Sequence, residues 1–319
     1  MKQFILNILI FIFPILIVLY PLDIALSKSL SKSTKYPGNY TAWNDIYAGT
    51  VKSDILVFGS SRATHHIDPK IMEDALGLKT YNFGVNGHGF WIQHLKYLEY
   101  LKNNPHPKHI FIVADWFTLE KRPDLYQYNQ FLPYMLWNTN IKNYTQSYQG
   151  FTYLDYYIPL LRYYGNTTAK DHAFNYALKD KEKIIPYKTK GYRAGPTDKS
   201  KSETSENISL NNTYYSAKID SLTVNLLNNF LEHCSKNHIQ VTFVYTPEYI
   251  EEQKFIKNRQ EAINIYKELS STYHILYLDY SSSPISKNRK YFNSTMHLNQ
   301  EGAELFTKTL AHDFILENK

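Results

Sequence analysis

Residues 54–62 read Asp-Ile-Leu-Val-Phe-Gly-Ser-Ser-Arg, an apolar run that ends in one glycine and two serines. A short continuous apolar run of this kind is typical of a strand buried on both faces of a parallel sheet. A helical pattern follows at residues 67–76, so the serines lie at the turn where the strand ends. In α/β proteins, ligands bind at the carboxyl ends of the strands. The stretch therefore predicts an α/β fold with a site beside Ser61.

The rest of the chain repeats this alternation of strand and helix. Further apolar runs predict strands at 80–84, 109–114, 239–245 and 274–279. Amphipathic patterns predict helices at 67–76, 89–102, 221–237, 249–270 and 300–316. Strands separated by helices form a parallel sheet covered on both faces. We expect a flavodoxin-like three-layer sandwich around a five-stranded parallel sheet.

Residues 118–215 interrupt this alternation and predict an inserted subdomain. Ten tyrosines lie between Tyr126 and Tyr164, together with Trp137. A polar run at 198–212 predicts an exposed loop. The aromatic side chains either pack a small helical core or form a stacking surface for sugar rings beside the site.

The first residues carry a separate signal. The stretch from Phe4 to Leu22 is nineteen residues long and has no charge. A helix of that length, rising about 1.5 Å per residue, spans a hydrocarbon core of ~30 Å. We expect a single-pass anchor at 1–27 and an α/β domain at 28–319 that is extracytoplasmic, either periplasmic or extracellular. A cleaved signal peptide, with Ala25-Leu26-Ser27 as its cleavage site, and a buried core helix remain alternatives.

Composition narrows the classes of function. A chain of 319 residues with 43% hydrophobic residues is not of the disordered, collagen-like or polytopic membrane class. Its 35 basic and 29 acidic residues are interspersed, so we expect no nucleic-acid partner. The single cysteine, Cys234, excludes an internal disulfide and a cysteine-only metal site.

Three motifs carry candidate chemistry, each at a predicted strand end or helix start. In Gly59-Ser60-Ser61, a serine offers a nucleophilic hydroxyl, and its amide offers an oxyanion donor. In the glycine-containing turn at 82–89, a glycine lets a backbone N–H approach a substrate. The third motif, at 296–303, places His297 at the opening of the last helix.

With these three motifs in this order, the chain resembles the SGNH, or GDSL-type, hydrolases. The family's first block is Gly-Asp-Ser after the first strand, so the resemblance places the nucleophile at Ser61. The glycine of its second block matches Gly87, and the amides of Ser61 and Gly87 would form the oxyanion hole. Its last block has the form His-Leu-Asn-x-x-Gly-Ala, which matches residues 297–303 and makes His297 the base.

The resemblance covers about residues 50–115 and 238–315. The chain has Gly-Ser-Ser in place of Gly-Asp-Ser and also has a predicted membrane anchor. In this combination it is similar to envelope branches of the family, such as the D-alanyl-lipoteichoic acid transfer protein and alginate acetylation proteins. It implies an ester hydrolase or O-acyltransferase that acts on acyl, chiefly acetyl, esters of an envelope glycan and needs no cofactor. The implied partners are an acylated envelope polysaccharide, the membrane and, as an option, a membrane-bound acyltransferase.

Two positions depart from the family pattern. The aspartate three residues before the histidine is Ser294 here, and the third strand ends in Asp115-Trp116 without the family's asparagine. His297 would then be oriented by a backbone carbonyl or by the side chain of Ser294, Asp115 or Asp279. An inactive descendant that binds carbohydrate or supports an acyltransferase is the alternative function.

Other polar side chains near the motifs can each be interpreted in two ways. His65 and His66 either face solvent or line the substrate site, and Arg62 either pairs within the fold or binds an anionic polymer. These histidines and His88 have no accompanying carboxylate or cysteine pattern, so we expect no metal site.

Overall fold

A computed structural model describes residues 2–33, 39–179, 190–196 and 214–317. Its centre is one sheet of five parallel strands in the order β2-β1-β3-β4-β5, which is the flavodoxin-like order. The strands are β1 (Ile55–Phe58), β2 (Thr80–Asn82), β3 (His109–Val113), β4 (Gln240–Tyr245) and β5 (Leu276–Asp279). The predicted α/β class and five-stranded parallel sheet are confirmed.

Helices flank and connect the strands. They are α1 (Lys2–Ser31), α2 (Asn39–Tyr47), α3 (Ser61–His66), α4 (Pro69–Leu76), α5 (Phe90–Asn103), α6 (Thr139–Thr145), α7 (Thr167–Lys179), α8 (Ser221–Lys236), α9 (Ile250–Gln253), α10 (Arg259–Tyr273) and α11 (Gln300–Glu317). All residues of β1 and β3 are buried, because helices cover both faces of the sheet. Alternate side chains of the two strands, among them Val57 and Phe111, pack in one apolar cluster with those of α11, such as Phe306 and Leu310.

One predicted helix differs from the structure. We expected a continuous helix at 249–270, but α9 ends at Gln253 and α10 begins at Arg259. Between them, Phe255 O accepts the Tyr215 N–H at 2.8 Å, and the Lys257 N–H donates to Tyr215 O at 2.9 Å. This bridge occupies backbone groups that a continuous helix would use.

The chain divides into two compact units. The second unit, Asp45–Arg122 with Tyr187–Lys319, contains the sheet. The first unit consists of Met1–Asn44 and Pro123–Pro186. The predicted exposed loop at 198–212 lies outside the described residues.

In the first unit, the end of α1 packs against the tyrosine-rich segment. Arg162 and Asp23 form a two-pronged buried ion pair, with Nη1 2.6 Å from Oδ2 and Nη2 2.7 Å from Oδ1. Ser27 Oγ lies 2.8 Å from Tyr163 Oη. Such parallel guanidinium–carboxylate bonds fix geometry as well as charge.

Several described side chains near the start of α1 are exposed. Phe4 and Phe11 are 68% and 73% exposed. Among the described residues, α1 is the one helix long and apolar enough to cross a membrane. An apolar N-terminal helix of this kind fits a membrane span or a signal sequence.

Candidate active site

The turn after β1 presents Ser61 as the first residue of α3. Ser60 caps this helix, because its Oγ accepts the Arg62 N–H at 3.1 Å. A Cβ on Gly59 would lie 2.6 Å from the Val113 Cβ, so only glycine lets the turn approach β3 this closely. The local sequence Gly-Ser-Ser thus forms a tight strand-to-helix turn with its second hydroxyl at the carboxyl edge of the sheet.

Ser61 and His297 meet at this edge. Ser61 Oγ lies 2.7 Å from His297 Nε2, although 236 positions separate the two residues in the chain. Both residues are half-buried. A hydroxyl and an imidazole at this distance have the geometry of a nucleophile and its general base.

The opposite nitrogen of the imidazole faces a hydroxyl. Ser294 Oγ lies 3.2 Å from His297 Nδ1, and it also accepts the backbone N–H groups of Met296 at 3.3 Å and His297 at 3.1 Å. Asp279 lies elsewhere, at the end of β5, where its Oδ1 accepts the Ser281 N–H at 2.9 Å. Of the candidate orienting residues, the structure brings Ser294 to His297 and leaves Asp279 at a turn.

Asp115 lies beneath the nucleophile turn, where it contacts Ser60 and Arg62. Its Oδ2 accepts the Ser60 hydroxyl at 2.9 Å, and its Oδ1 accepts Arg62 Nη1 at 3.1 Å. Burial raises the pKa of Asp115 to about 6, although the nearby Arg62 guanidinium opposes this shift. Asp115 therefore supports the residues that flank Ser61.

Arg62 extends this support into a buried network of charges. Its Nη2 pairs with Glu248 Oε2. Glu248 Oε1 also accepts Arg259 Nε at 2.9 Å and the Tyr245 hydroxyl at 2.7 Å. Burial by itself would raise the pKa of Glu248, but the two guanidinium groups hold it below its usual value. Because Arg62 is fully buried, its placement supports the structural interpretation and not contact with an anionic polymer.

His66 joins α3 to the chain just after the candidate base. Its Nε2 accepts the Leu298 N–H at 3.0 Å, and its Nδ1 lies 3.1 Å from Thr246 Oγ1. Burial, and after it the neighbouring His297, lowers the pKa of His66 well below its usual value. His66 is therefore a neutral structural link, a role that neither of its two interpretations from the sequence included.

Asn82 links the second motif to the helix that follows the first motif through hydrogen bonds. Its Oδ1 accepts the Gly84 N–H at 2.9 Å, and its Nδ2 donates to Ala63 O at 2.6 Å. Gly87 follows in this loop with a φ of +70°, a left-handed conformation that favours glycine. The glycines of this motif were predicted to matter, whereas the anchoring role of Asn82, which opens the same motif, was not predicted.

His65 lies on the open side of the pair. Its Nδ1 lies 2.7 Å from Arg193 O, and its ring centroid is 5.4 Å from that of His297. It is half-buried. This position lines the candidate site, which supports the second of the two interpretations for this residue.

A strap at residues 190–196 crosses all three motifs. Its backbone bonds join Asn82 N–H to Lys190 O (2.9 Å), Arg193 N–H to Thr64 O (2.9 Å), and Gln300 N–H to Gly195 O (3.1 Å). The sequence did not reveal this role, because the strap lies inside the segment that breaks the strand–helix pattern.

Comparisons with known proteins give a likeness of fold only. No protein-family model matches the chain, and no curated protein matches it. A Streptococcus pneumonia protein, described as a candidate platelet activating factor, is 13% identical with a TM-score of 0.43, and the match covers 87% of this chain and 90% of that one.

Two further solved structures are of acylhydrolase type. A candidate acylhydrolase from Bacteroides fragilis is 13% identical with a TM-score of 0.38, over 85% of this chain and 96% of that one. A GDSL-like lipase from Bacteroides thetaiotaomicron is 10% identical with a TM-score of 0.36, over 86% of this chain and 98% of that one. At such identities and scores, neither their activities nor an envelope-anchored branch carries over to this chain.

Proposed function

We propose that this protein is a membrane-anchored, extracytoplasmic serine ester hydrolase or O-acyltransferase of the SGNH type. Its substrates are acyl esters, chiefly acetyl esters, of a cell-envelope glycan. The observation that carries the proposal is the 2.7 Å contact between Ser61 Oγ and His297 Nε2. A protein that only bound carbohydrate would have no need to keep these two groups within hydrogen-bond distance.

The reaction proceeds in two acyl-transfer steps. Ser61 Oγ attacks the ester carbonyl while its proton passes to His297 Nε2, and the amides of Ser61 and Gly87 stabilise the oxyanion. The C–O bond to the sugar then breaks, and the departing sugar oxygen takes the proton from His297. In the second step, water or another sugar hydroxyl attacks the acyl-Ser61 ester with His297 again as base, which gives hydrolysis or transfer.

A cleft in the first unit supports a glycan substrate. Its volume is about 510 Å³, and its lining combines tyrosine rings with amide and carboxylate side chains. Tyr164, on its rim, is 87% exposed. An open aromatic face beside polar side chains such as Asn166 and Gln149 suits a sugar ring, which presents an apolar face and hydroxyl edges.

A fluorophosphonate probe on the full chain in detergent tests the chemistry. We expect stoichiometric labelling of the wild type and none of Ser61→Ala. The matched control is Ser282→Ala, which removes an exposed serine in the loop after β5 and should label as the wild type does. Labelling that survives Ser61→Ala would overturn the assignment of the nucleophile.

An unlabelled but folded wild type would favour the alternative function of binding alone. Incubation with an acetylated sugar and an unacetylated acceptor then separates the two enzymatic outcomes. Hydrolysis releases acetate, whereas transfer moves the acetyl group to the acceptor, and mass spectrometry distinguishes them.

A further inference from the structure

A group of exposed apolar and aromatic side chains lies on the first unit beside α1. We call it the Trp137 patch, and it consists of the exposed residues Tyr20, Trp137, Tyr153, Leu154 and Ile158 together with the half-buried Tyr157. Trp137, Tyr153 and Leu154 are 55%, 65% and 54% exposed. Exposed apolar groups that lie together mark interaction surfaces, whereas isolated ones need no explanation.

Contacts within the first unit place this patch at a defined level along α1. The Trp137 ring stacks on Tyr20 with centroids 4.9 Å apart. Leu160 N–H donates to Asp23 Oδ2 at 2.7 Å. Asp23 lies three residues after Tyr20 on α1, which is about 4.5 Å along the helix axis. The patch therefore lies where the uncharged stretch from Phe4 to Leu22 ends.

Internal hydrogen bonds hold the patch together. Trp137 donates its backbone N–H to Tyr156 O at 2.8 Å and its indole N–H to Tyr157 O at 3.0 Å. The rings of Tyr153 and Tyr157 lie 4.8 Å apart. Leu154 and Ile158 follow each other on one turn, because Ile158 N–H donates to Leu154 O at 2.9 Å. The exposed side chains thus belong to an ordered surface.

The chemistry of the patch matches the boundary between lipid tails and headgroups. Tryptophan and tyrosine concentrate at that boundary because their rings are apolar and their N–H or O–H groups are polar. Lys142 Nζ lies 2.8 Å from Tyr157 Oη and 5.5 Å from the Tyr153 ring centroid, so it adds a cation beside the rings. Such a cation can reach anionic headgroups while its stem lies on apolar groups.

We infer that the Trp137 patch is a lipid-contacting surface, seated in the headgroup layer of the leaflet from which α1 emerges. The inference rests on the membrane anchor in the proposed function and is independent of the ester chemistry. The inserted segment then does more than build a small core. It fixes the first unit to the bilayer surface at a second place, next to the anchor.

Spin labels on the full chain in lipid nanodiscs test this contact. Cys234 is replaced by alanine, and single cysteines are placed at Leu154, Leu222 and Phe11. Leu222, on α8, is the matched control, because it is also a leucine and is 59% exposed. Power saturation compares collisions of each label with oxygen, which partitions into lipid, and with a water-soluble nickel chelate.

We expect the ratio of oxygen to nickel collisions at Leu154 to exceed that at Leu222 by at least threefold, with Phe11 higher still. Equal ratios at Leu154 and Leu222, with Phe11 in lipid, would overturn the inference and leave the anchor standing. A water-like ratio at Phe11 as well would overturn both the anchor and the patch. Neither result changes the outcome of fluorophosphonate labelling, which tests the ester chemistry separately.

Discussion

Ser294 Oγ lies 3.2 Å from Nδ1 of His297, on the side of the imidazole that faces away from Ser61. This oxygen already accepts two backbone N–H groups, those of Met296 and His297. A hydroxyl has two lone pairs and one proton, so what remains for Nδ1 is the proton. Donation to Nδ1 favours the tautomer of His297 that carries its hydrogen on Nε2, facing Ser61. Only the other tautomer, with its hydrogen on Nδ1, can accept the Ser61 proton, so the wild type should turn over slowly.

Restoring a carboxylate at position 294 should therefore raise activity. An aspartate accepts a proton from Nδ1, fixes the productive tautomer and stabilises the imidazolium. We expect Ser294→Asp to increase turnover of a small acetyl ester about tenfold or more, which corresponds to ~1.4 kcal/mol of barrier. Nitrogen-15 NMR of the ring should show the Nδ1-protonated form in the variant.

The control for this substitution is Ser294→Asn, which has a similar shape but no charge and should give no such gain. If the wild type labels with fluorophosphonate and Ser294→Asp turns over no faster, another group orients His297. No labelling in either protein would favour the binding-only alternative.

Asp115 should matter for stability more than for orienting the base. Asp115→Asn leaves Arg62 with one carboxylate fewer in a fully buried site, and breaking a buried pair costs about 3 kcal/mol. We expect urea unfolding to show a loss of that size. Asp279→Asn is the control and should cost less than about 1 kcal/mol, because Asp279 is exposed at a turn.

We expect Asp115→Asn still to label with fluorophosphonate, at a reduced rate, when it is tested at a temperature where circular dichroism shows the folded state. Complete loss of labelling with the fold intact would transfer the orienting role to Asp115.

Gly84 should be required for the position of the second motif. A Cβ there would lie 2.4 Å from Thr64 Oγ1 and 2.7 Å from Thr64 N, so the loop must move. We expect Gly84→Ala to cost about 1–3 kcal/mol, as overpacking does, and to slow labelling of Ser61. Gly77→Ala meets no neighbour but has a φ of +67°, so it should lower stability without slowing the labelling.

Features of the structure that depend on short stretches of sequence are predictable from it, whereas features that depend on contacts between distant residues are not. Strands and motif positions follow from short apolar runs and from glycines, and the five strands lie where those runs predict them. The 2.7 Å contact of Ser61 with His297 was expected from the resemblance to the SGNH hydrolases, together with the shared carboxyl edge of parallel strands.

The support beneath the site was not predictable in the same way. The pairing of Arg62 with Glu248, 186 residues away, depends on how the sheet places the ends of β1 and β4 on either side of β3. The link from His66 to Leu298 and the strap at 190–196 likewise depend on tertiary packing. No motif or residue spacing in the sequence predicts these contacts.

Tyr164 should contribute to glycan affinity but not to the chemistry. If its exposed ring stacks on a sugar, Tyr164→Ala should raise the Kd of an acetylated oligosaccharide, measured by titration calorimetry, about fivefold, or ~1 kcal/mol. Turnover of a small acetyl ester should not change. Tyr214→Ala is the control, since Tyr214 is 58% exposed but belongs to the second unit. Equal Kd values for the two variants would contradict a glycan role for the cleft.

His66 should make the fold sensitive to acid. Its Nε2 accepts the Leu298 N–H, so protonation would place two donors face to face. Burial lowers the pKa of His66 well below 6.5 in the folded state. Below pH 6.5 the unfolded chain therefore takes up a proton that the folded chain excludes. Folding stability should fall as the pH falls, by up to about 1.4 kcal/mol per pH unit for this one group.

Urea unfolding between pH 7.5 and 5.0 tests this dependence in the wild type and in His66→Gln. The glutamine can still accept the Leu298 N–H but does not titrate, so the variant should lose less stability on acidification. At pH 7.5 the variant should be less stable than the wild type, because an amide replaces the buried imidazole.

Two other histidines, His94 and His109, have pKa values that burial lowers to about 4, and they act in the same direction in both proteins. Asp115, whose pKa burial raises, acts in the opposite direction in both. These contributions cancel in the comparison, so the difference between the two pH profiles isolates His66. Parallel profiles would mean that the pKa of His66 is the same in the folded and the unfolded chain, which would contradict this prediction.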